Sequence, residues 1–302
     1  MARLTREYAA LRRAFQVSHA RVVVLVEGRE VDAYLYDKIC LTVLTPNGTS
    51  YRIVRADEIV QMGNSGGKEV LLGFFDYLKR TSALHVAGCY TTLFCLDKDV
   101  DDLERRMRRS PHVLYTTMYD IENLLVGSAD LKDCAAAALS VPVATCSHLS
   151  PANAWCLAVQ SSWASWVTLR LCAKSFQVQR ANYSSLSQVN VPLHGPVSQP
   201  LVVQIIRDIA AKAAVPQQVA MRRYAARFRW VNDLIKQGHG DRVFKGKWYL
   251  DILASELAAM RRGRNVGGLR SSLQALLMQS ANVAGPQFEF IRTALTTRAA
   301  AV

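Results

Sequence analysis

Acidic residues stand directly after apolar runs at two places in this chain, and a third acidic group follows downstream. The sequence reads Val-Leu-Val-Glu27-Gly-Arg-Glu-Val-Asp32, then Leu-Phe-Cys-Leu-Asp97-Lys-Asp99-Val-Asp101, then Tyr119-Asp-Ile-Glu122-Asn. If the two apolar runs are neighbouring strands, Glu27 and Asp97 converge. Two carboxylates about 4 Å apart repel by roughly 4 kcal/mol at an effective dielectric of about 20, so the pair must share a proton or hold a cation. Hard oxygen donors with no soft ligand nearby favour Mg²⁺ or Mn²⁺ over zinc. The competing reading is that these acids cap helices, with Asp99 or Asp101 as an N-cap. A strand ending in Glu-Gly, followed some 70 residues later by one ending in Asp-x-Asp, favours the metal.

Basic residues form a second constellation. From Ile205 to Arg270 there are 14 Lys or Arg against five acids, so nine of the thirteen net positive charges fall in that stretch. A polyanion is the natural partner, against the alternative of a solvated basic face. Arg222, Arg223, Arg227 and Arg229 are interleaved with Tyr224, Phe228 and Trp230. At helical spacing Arg223 and Arg227 share a face and Tyr224 and Phe228 the adjacent one, which makes the arginines a backbone-contacting stripe and the aromatics core. In Gly238-His-Gly-Asp-Arg-Val-Phe-Lys245-Gly-Lys247-Trp248, lysines flank a glycine just ahead of a helix, where either could approach a phosphate, against the alternative of a loop with solvated lysines. Gly63-Asn-Ser-Gly-Gly67-Lys68-Glu69 has too short a glycine spacing for a Walker A loop and no Ser or Thr after the lysine. It reads as a turn before a helix, with Lys68 a weaker candidate for phosphate contact.

The elements that must position these groups alternate over residues 1–127. Strands are expected at Arg21–Val26, Tyr51–Arg55, Thr91–Leu96 and His112–Thr116, with helices at Glu30–Cys40 and Lys68–Lys79 and a short one at Asp101–Arg109. That order predicts an α/β domain whose parallel sheet of about four strands carries helices on both faces and binds ligands at the carboxyl ends of its strands. Residues 128–302 are Ala-rich and helix-periodic, which predicts a mainly helical region. Helices are expected around Trp155–Arg170, Val203–Val215, Val219–Lys236 and Trp248–Arg261, with the tryptophans as core.

Composition excludes several classes. Half of the 302 residues are hydrophobic, far too many for a disordered chain. The longest strong apolar run, Val22–Val26, is strand-sized, so no membrane span is expected. Met1–Phe15 is charged and amphipathic, unlike a secretory signal, and a cytoplasmic location is expected. The seven cysteines lack metal-ligand spacing and read as small buried hydrophobes.

The strand-end Glu-Gly and Asp-x-Asp in this order resemble the Toprim domain of topoisomerases, primases and OLD-type nucleases. Val26-Glu27-Gly-Arg-Glu-Val-Asp32 and Tyr119-Asp-Ile-Glu122-Asn-Leu-Leu125 narrow the likeness to the AriB-type effector family of the PARIS anti-phage defence system, which is paired with an AriA-like ABC-type ATPase. By motif the resemblance covers Arg21 to Leu125. It implies a Mg²⁺- or Mn²⁺-dependent endonuclease in which Asp97 and Asp99 ligate the metal. Glu27 would either ligate it or orient and deprotonate the attacking water, while Asp32 and Glu122 would serve a second metal or the outer shell. Lys245 or Lys247 would neutralise transition-state charge, in the manner of the Gly/Lys segment of related nucleases. The family further implies tRNA as target and release by the ATPase, and because one such site is small beside a folded RNA, a homodimer presenting two sites is expected. The readings set against it are a catalytically silent subunit that binds nucleic acid or the ATPase, and a DNA nuclease of OLD type.

Overall fold

The structure is a computed structural model and describes residues 7–28, 30–61, 64–65, 67–101, 106–178, 197–260 and 266–302. It divides into two compact units, one of residues 1–129 and 277–302 and the other of residues 130–276.

The first unit is built on β1 (Val22–Val26), a run of Val and Leu buried at every position. A strand that is apolar on both sides needs cover on both sides. Its neighbours β2 (Tyr51–Arg55) and β6 (Tyr90–Leu96) both run parallel to it, with Val22 opposite Tyr51 and Thr91 and Val26 opposite Arg55 and Cys95. The far side of β6 is shared between two short strands. β5 (His85–Val86) pairs antiparallel with its start and β7 (Val113–Tyr115) parallel with its end. The result is a five-stranded, mostly parallel sheet. Two further two-residue strands, β3 (Val60–Gln61) and β4 (Asn64–Ser65), pair antiparallel with each other.

Three helices of this unit come from its N-terminal part: α1 (Tyr8–Val17), α2 (Val31–Val43) and α3 (Lys68–Arg80). Phe15 of α1 and Phe74 of α3 meet Tyr90 and Phe94 of β6 in one aromatic cluster, with Phe15 edge-on to Tyr90 at 5.7 Å. α4 (Ile121–Ser128) follows β7. The chain then leaves this unit and returns to it through α11 (Glu289–Ala299), which packs on α2, β1 and β6 and buries Ile291 and Leu295 completely. Lys38 of α2 fixes the return by donating to the carbonyls of Gln279 at 2.9 Å and Ala281 at 2.8 Å.

The structure departs from the sequence expectations at three points. The sheet has a fifth strand, because Gly88 at φ +70° closes a hairpin too short to show an alternating pattern. Of the helix expected over Asp101–Arg109, residues 102–105 lie outside the described residues, and 106–110 are irregular. Three arginines there precede Ser110-Pro111, and a residue before proline avoids the helical region. The last 26 residues, expected within one helical region spanning 128–302, group with the sheet.

The second unit contains α5 (Leu131–Leu139), α6 (Ala152–Ser175), α7 (Gln199–Lys212), α8 (Gln217–Lys236) and α9 (Gly246–Met260), and most of α10 (Val266–Ser280). α6 packs on α7 and α8. Trp155, Trp163 and Trp166 are buried as expected, and Arg170 is wholly buried with its guanidinium 5.2 Å from the Trp166 ring centroid. Six of the seven cysteines are buried and Cys89 is half-buried. Among the described residues, no helix is long and apolar enough to cross a membrane.

Candidate active site

Because β1 and β6 are parallel neighbours, the residues that follow them leave the sheet at the same end. Glu27 Oε1 accepts the backbone N–H of Asp97 at 2.8 Å. The glycine after Glu27 has a steric reason. Its N–H donates to Asp32 Oδ2 at 2.8 Å, and a Cβ at Gly28 would lie 2.3 Å from Asp32 Oδ1. Only glycine lets Asp32, buried in the first turn of α2, fold back on the strand end.

Asp97 is held from the opposite direction. Its Oδ1 accepts the N–H of Ile121 at 3.0 Å, at the start of α4. Asp120 caps that helix, accepting from Asn123 N at 3.2 Å while its own N–H donates to Asn123 Oδ1 at 3.1 Å, a closed capping box. The Asp-Ile-Glu-Asn element therefore uses Asp120 and Asn123 to start the helix and Ile121 to orient Asp97, and it buries Glu122. Asp99 adopts φ +52°, a left-handed conformation that Asp tolerates better than most residues, and its N–H donates to Tyr119 O at 2.7 Å.

Lys68, the first residue of α3, reaches into this group. Its ammonium donates to Asp97 O and Asp99 Oδ2, each at 2.6 Å, and to Asp101 Oδ2 at 2.8 Å, and it stands 4.0 Å from Glu27 Oε1. In the sequence Lys68 belongs to a turn before a helix and is a weaker candidate for phosphate contact; neither it nor the Asp101 side chain is tied there to the strand-end acids. The available signal was its position, directly after a chain-reversing Gly67 at φ +88° and at the start of a helix.

The electrostatics are those of a site short of positive charge. Burial is the largest cause pushing the Glu27 carboxyl up to about 8. Asp99 and Asp32 add to the shift, while Lys68 and the Asp97 N–H oppose it. Burial also drives Asp97 well above the usual carboxylate range, reinforced by Asp32, Glu27, Asp120 and Glu122. For Lys68 burial pulls downward, but Glu27, Asp99 and Asp101 outweigh it and hold the ammonium charged. Among the described residues, no three His, Cys, Asp or Glu side chains are already arranged as a cation cage. Were a hard divalent ion to bind here, Glu27, Asp97 and Asp99 are the side chains that would have to supply its oxygens, which are donors of the type such an ion takes.

The remaining sequence candidates belong to the second unit. Lys245 is half-buried and Lys247 exposed, on either side of Gly246 at the start of α9. The segment ahead of them is fixed by a buried network in which Tyr249 Oη donates to Asp241 Oδ1 at 2.6 Å and Gln160 Nε2 to the same oxygen at 2.9 Å. Gly240 sits where a Cβ would come within 2.0 Å of Gln160 Oε1. Arg222, Arg223 and Arg229 are exposed on α8 and Arg227 is half-buried. The Arg223 guanidinium lies 4.4 Å from the Phe176 ring centroid, so part of this residue serves packing. Tyr224 stacks on Phe228 at 5.7 Å, and the former is buried. Compared with known proteins, the chain matches no protein-family description and no curated protein.

Proposed function

We propose that the chain is a divalent-metal-dependent endonuclease of Toprim type that cuts RNA, tRNA in particular, as the effector of an anti-phage defence system when an ABC-type ATPase partner releases it. The observation that carries the nuclease reading is the contact of Glu27 Oε1 with the Asp97 N–H at the ends of two adjacent parallel strands, with both carboxyls pushed upward, chiefly by burial and then by neighbouring acids, Asp99 and Asp32 for Glu27, Asp32 and Glu27 for Asp97. Asp97 and Asp99 would hold the ion with Glu27, and Asp32 and Glu122 would stand behind them or serve a second one. Such an ion supplies a water that ionises near neutral pH and charge to balance a phosphate. Glu27, with a carboxyl near 8 in the metal-free protein, is suited to hold and pass a proton at neutral pH. Lys245 or Lys247 would face phosphate oxygens, and the exposed arginines of α8 would hold the nucleic-acid backbone. Two copies would act together in the active form. The tRNA target, the ATPase and the defence role rest on the family resemblance.

One observation favours a catalytically silent binding subunit instead: Lys68 already compensates Asp99 and Asp101 with a hydrogen bond to each, and a third bond to the Asp97 carbonyl holds it in place. Purified protein incubated with tRNA, total RNA and plasmid, in Mg²⁺, Mn²⁺ or EDTA and with or without the ATPase, separates the readings. Metal-dependent RNA cleavage is expected, and Glu27→Gln should reduce it by about 10² or more at unchanged circular dichroism. Cleavage of plasmid alone would move the assignment to a DNA nuclease. No cleavage with any metal or partner would leave the silent subunit.

A further inference from the structure

Between β6 and β7, in the unit that carries the acids, the chain exposes Arg106, Met107, Arg108 and Arg109 in succession on irregular backbone. A merely solvated run of cations would need no fixing, but this one is held to the strand ends at two points. The Arg106 N–H donates to Asp101 O at 2.9 Å, and the Asp101 carboxylate binds the same Lys68 ammonium that Asp99 does. The Arg108 N–H donates to Tyr115 Oη at 3.0 Å. Tyr115 ends β7 opposite Leu96, the residue before Asp97, so this second tie is made at the end of the sheet where Glu27 and Asp97 emerge. The Tyr115 phenol registers those neighbours: burial is the main cause raising it, the Arg108 N–H and Lys68 oppose the rise, and Asp101 and Glu27 add to it. The Arg108 guanidinium turns to Asp76 Oδ2 of α3 at 3.2 Å, which leaves Arg106 and Arg109 on either side of a tethered residue.

A phosphate backbone approaching these strand ends meets the carboxyls of Glu27, Asp97, Asp99 and Asp101 against the Lys68 ammonium. At physiological salt the attraction between exposed charges fades over about 8 Å, so the cations that offset the acids have to be built into the same end of the sheet. We propose that Arg106 and Arg109 are phosphate contacts that seat an RNA backbone at the acid-bearing end of the sheet, with Arg108 as their tether. The planar guanidinium fork suits that task, since it takes two phosphate oxygens at once. Because the segment is held before RNA arrives, less ordering entropy is lost on binding. This rests on the reading of RNA as substrate and adds where the acid-bearing unit grips it, independently of the arginines of α8.

The test is fluorescence anisotropy of the full chain on labelled tRNA in EDTA over a salt series, which reads binding without cleavage. Arg106→Ala with Arg109→Ala should weaken binding about tenfold or more. It should also flatten the slope of log affinity against log salt by about 1.4–1.8, two contacts at roughly 0.7–0.9 each. Arg109→Ala alone should give about half that change, and Arg106→Lys with Arg109→Lys should keep the slope. Lys79→Ala with Arg80→Ala removes the same charge from exposed positions at the opposite end of α3, about 17 Å along the helix from Lys68, and should leave the slope near wild type. All these side chains are exposed, so the fold should survive each change, as circular dichroism will show. A slope unchanged without Arg106 and Arg109, or flattened equally without Lys79 and Arg80, overturns the inference, and RNA cleavage by the wild type would still uphold the nuclease. RNA held through Arg106 and Arg109 but never cut does the reverse, removing the nuclease and keeping the contact. A wild-type chain that binds no RNA overturns both.

Discussion

At the residue scale, the acids at the strand ends make the metal-free protein sensitive to pH in an unusual direction. Glu27 titrates at about 8 in the folded chain against an ordinary 4.5, and Asp97 is raised in the same sense. A carboxyl raised on folding stabilises the fold fully below its unfolded value, and that stabilisation is lost as pH climbs through the folded value. Lys68, raised above its ordinary 10.5, keeps its contribution throughout this window and does not offset the loss. The melting temperature in EDTA should therefore fall between about pH 5 and 8, and less steeply in Glu27→Gln, which keeps an acceptor for the Asp97 N–H without a titrating proton. Thermal melts across that range decide it, and equal slopes for the two proteins would remove Glu27 from the account. If the proposed metal site is correct, Mn²⁺ affinity should rise over the same window, because an ion would displace protons from these carboxyls. The meeting of Glu27 with Asp97 was legible in the sequence, because strand-end position and residue type survive without a fold. Lys68 was not, because its three acceptors come from a loop some 30 residues away and only the fold unites them.

At the scale of elements, the central strands were readable for the reason they are central, since a run buried on both faces announces itself in five consecutive β-branched or Leu residues. β5 was not, being two residues long and held by a turn rather than by a pattern. The destination of the C-terminal helix was also hidden, because amphipathic spacing shows which face is buried but never against what. Its packing makes a specific expectation. Ile291 is fully buried within the unit that carries the acids, and Ile291→Ala should cost about 2–5 kcal/mol. Lys38→Met, which strips the carbonyls of Gln279 and Ala281 of their cation, should cost about 1–2 kcal/mol. Urea unfolding measures both, with the exposed Thr297→Ala as a reference within about 0.5 kcal/mol of wild type. A neutral Ile291→Ala would mean that α11 is an appendage and not part of the sheet unit.

At the scale of the whole molecule, the charge of +13 hides a division, with acids gathered at the strand ends of one unit and nine net positive charges in the 205–270 stretch that belongs to the other. That division needed no fold to be seen, but which arginines are available for a partner did. Arg223 lies against Phe176 and Arg227 is half-buried, so replacing either would disturb packing as well as charge. Arg222 and Arg229 are exposed and seven residues apart, two helical turns along one face. The cleaner experiment is therefore Arg222→Ala with Arg229→Ala, read by fluorescence anisotropy on tRNA and on an unrelated RNA over a salt series. Each lost phosphate contact should flatten the slope of log affinity against log salt by about 0.7–0.9, and binding should weaken equally on both RNAs. If the chain is the proposed nuclease, its cleavage position should not move, since phosphate contacts carry no sequence information. A slope unchanged from wild type would make this face of α8 merely solvated, and the positive excess would then cease to argue for a nucleic acid, leaving the acids at the strand ends as the sole support for a nuclease.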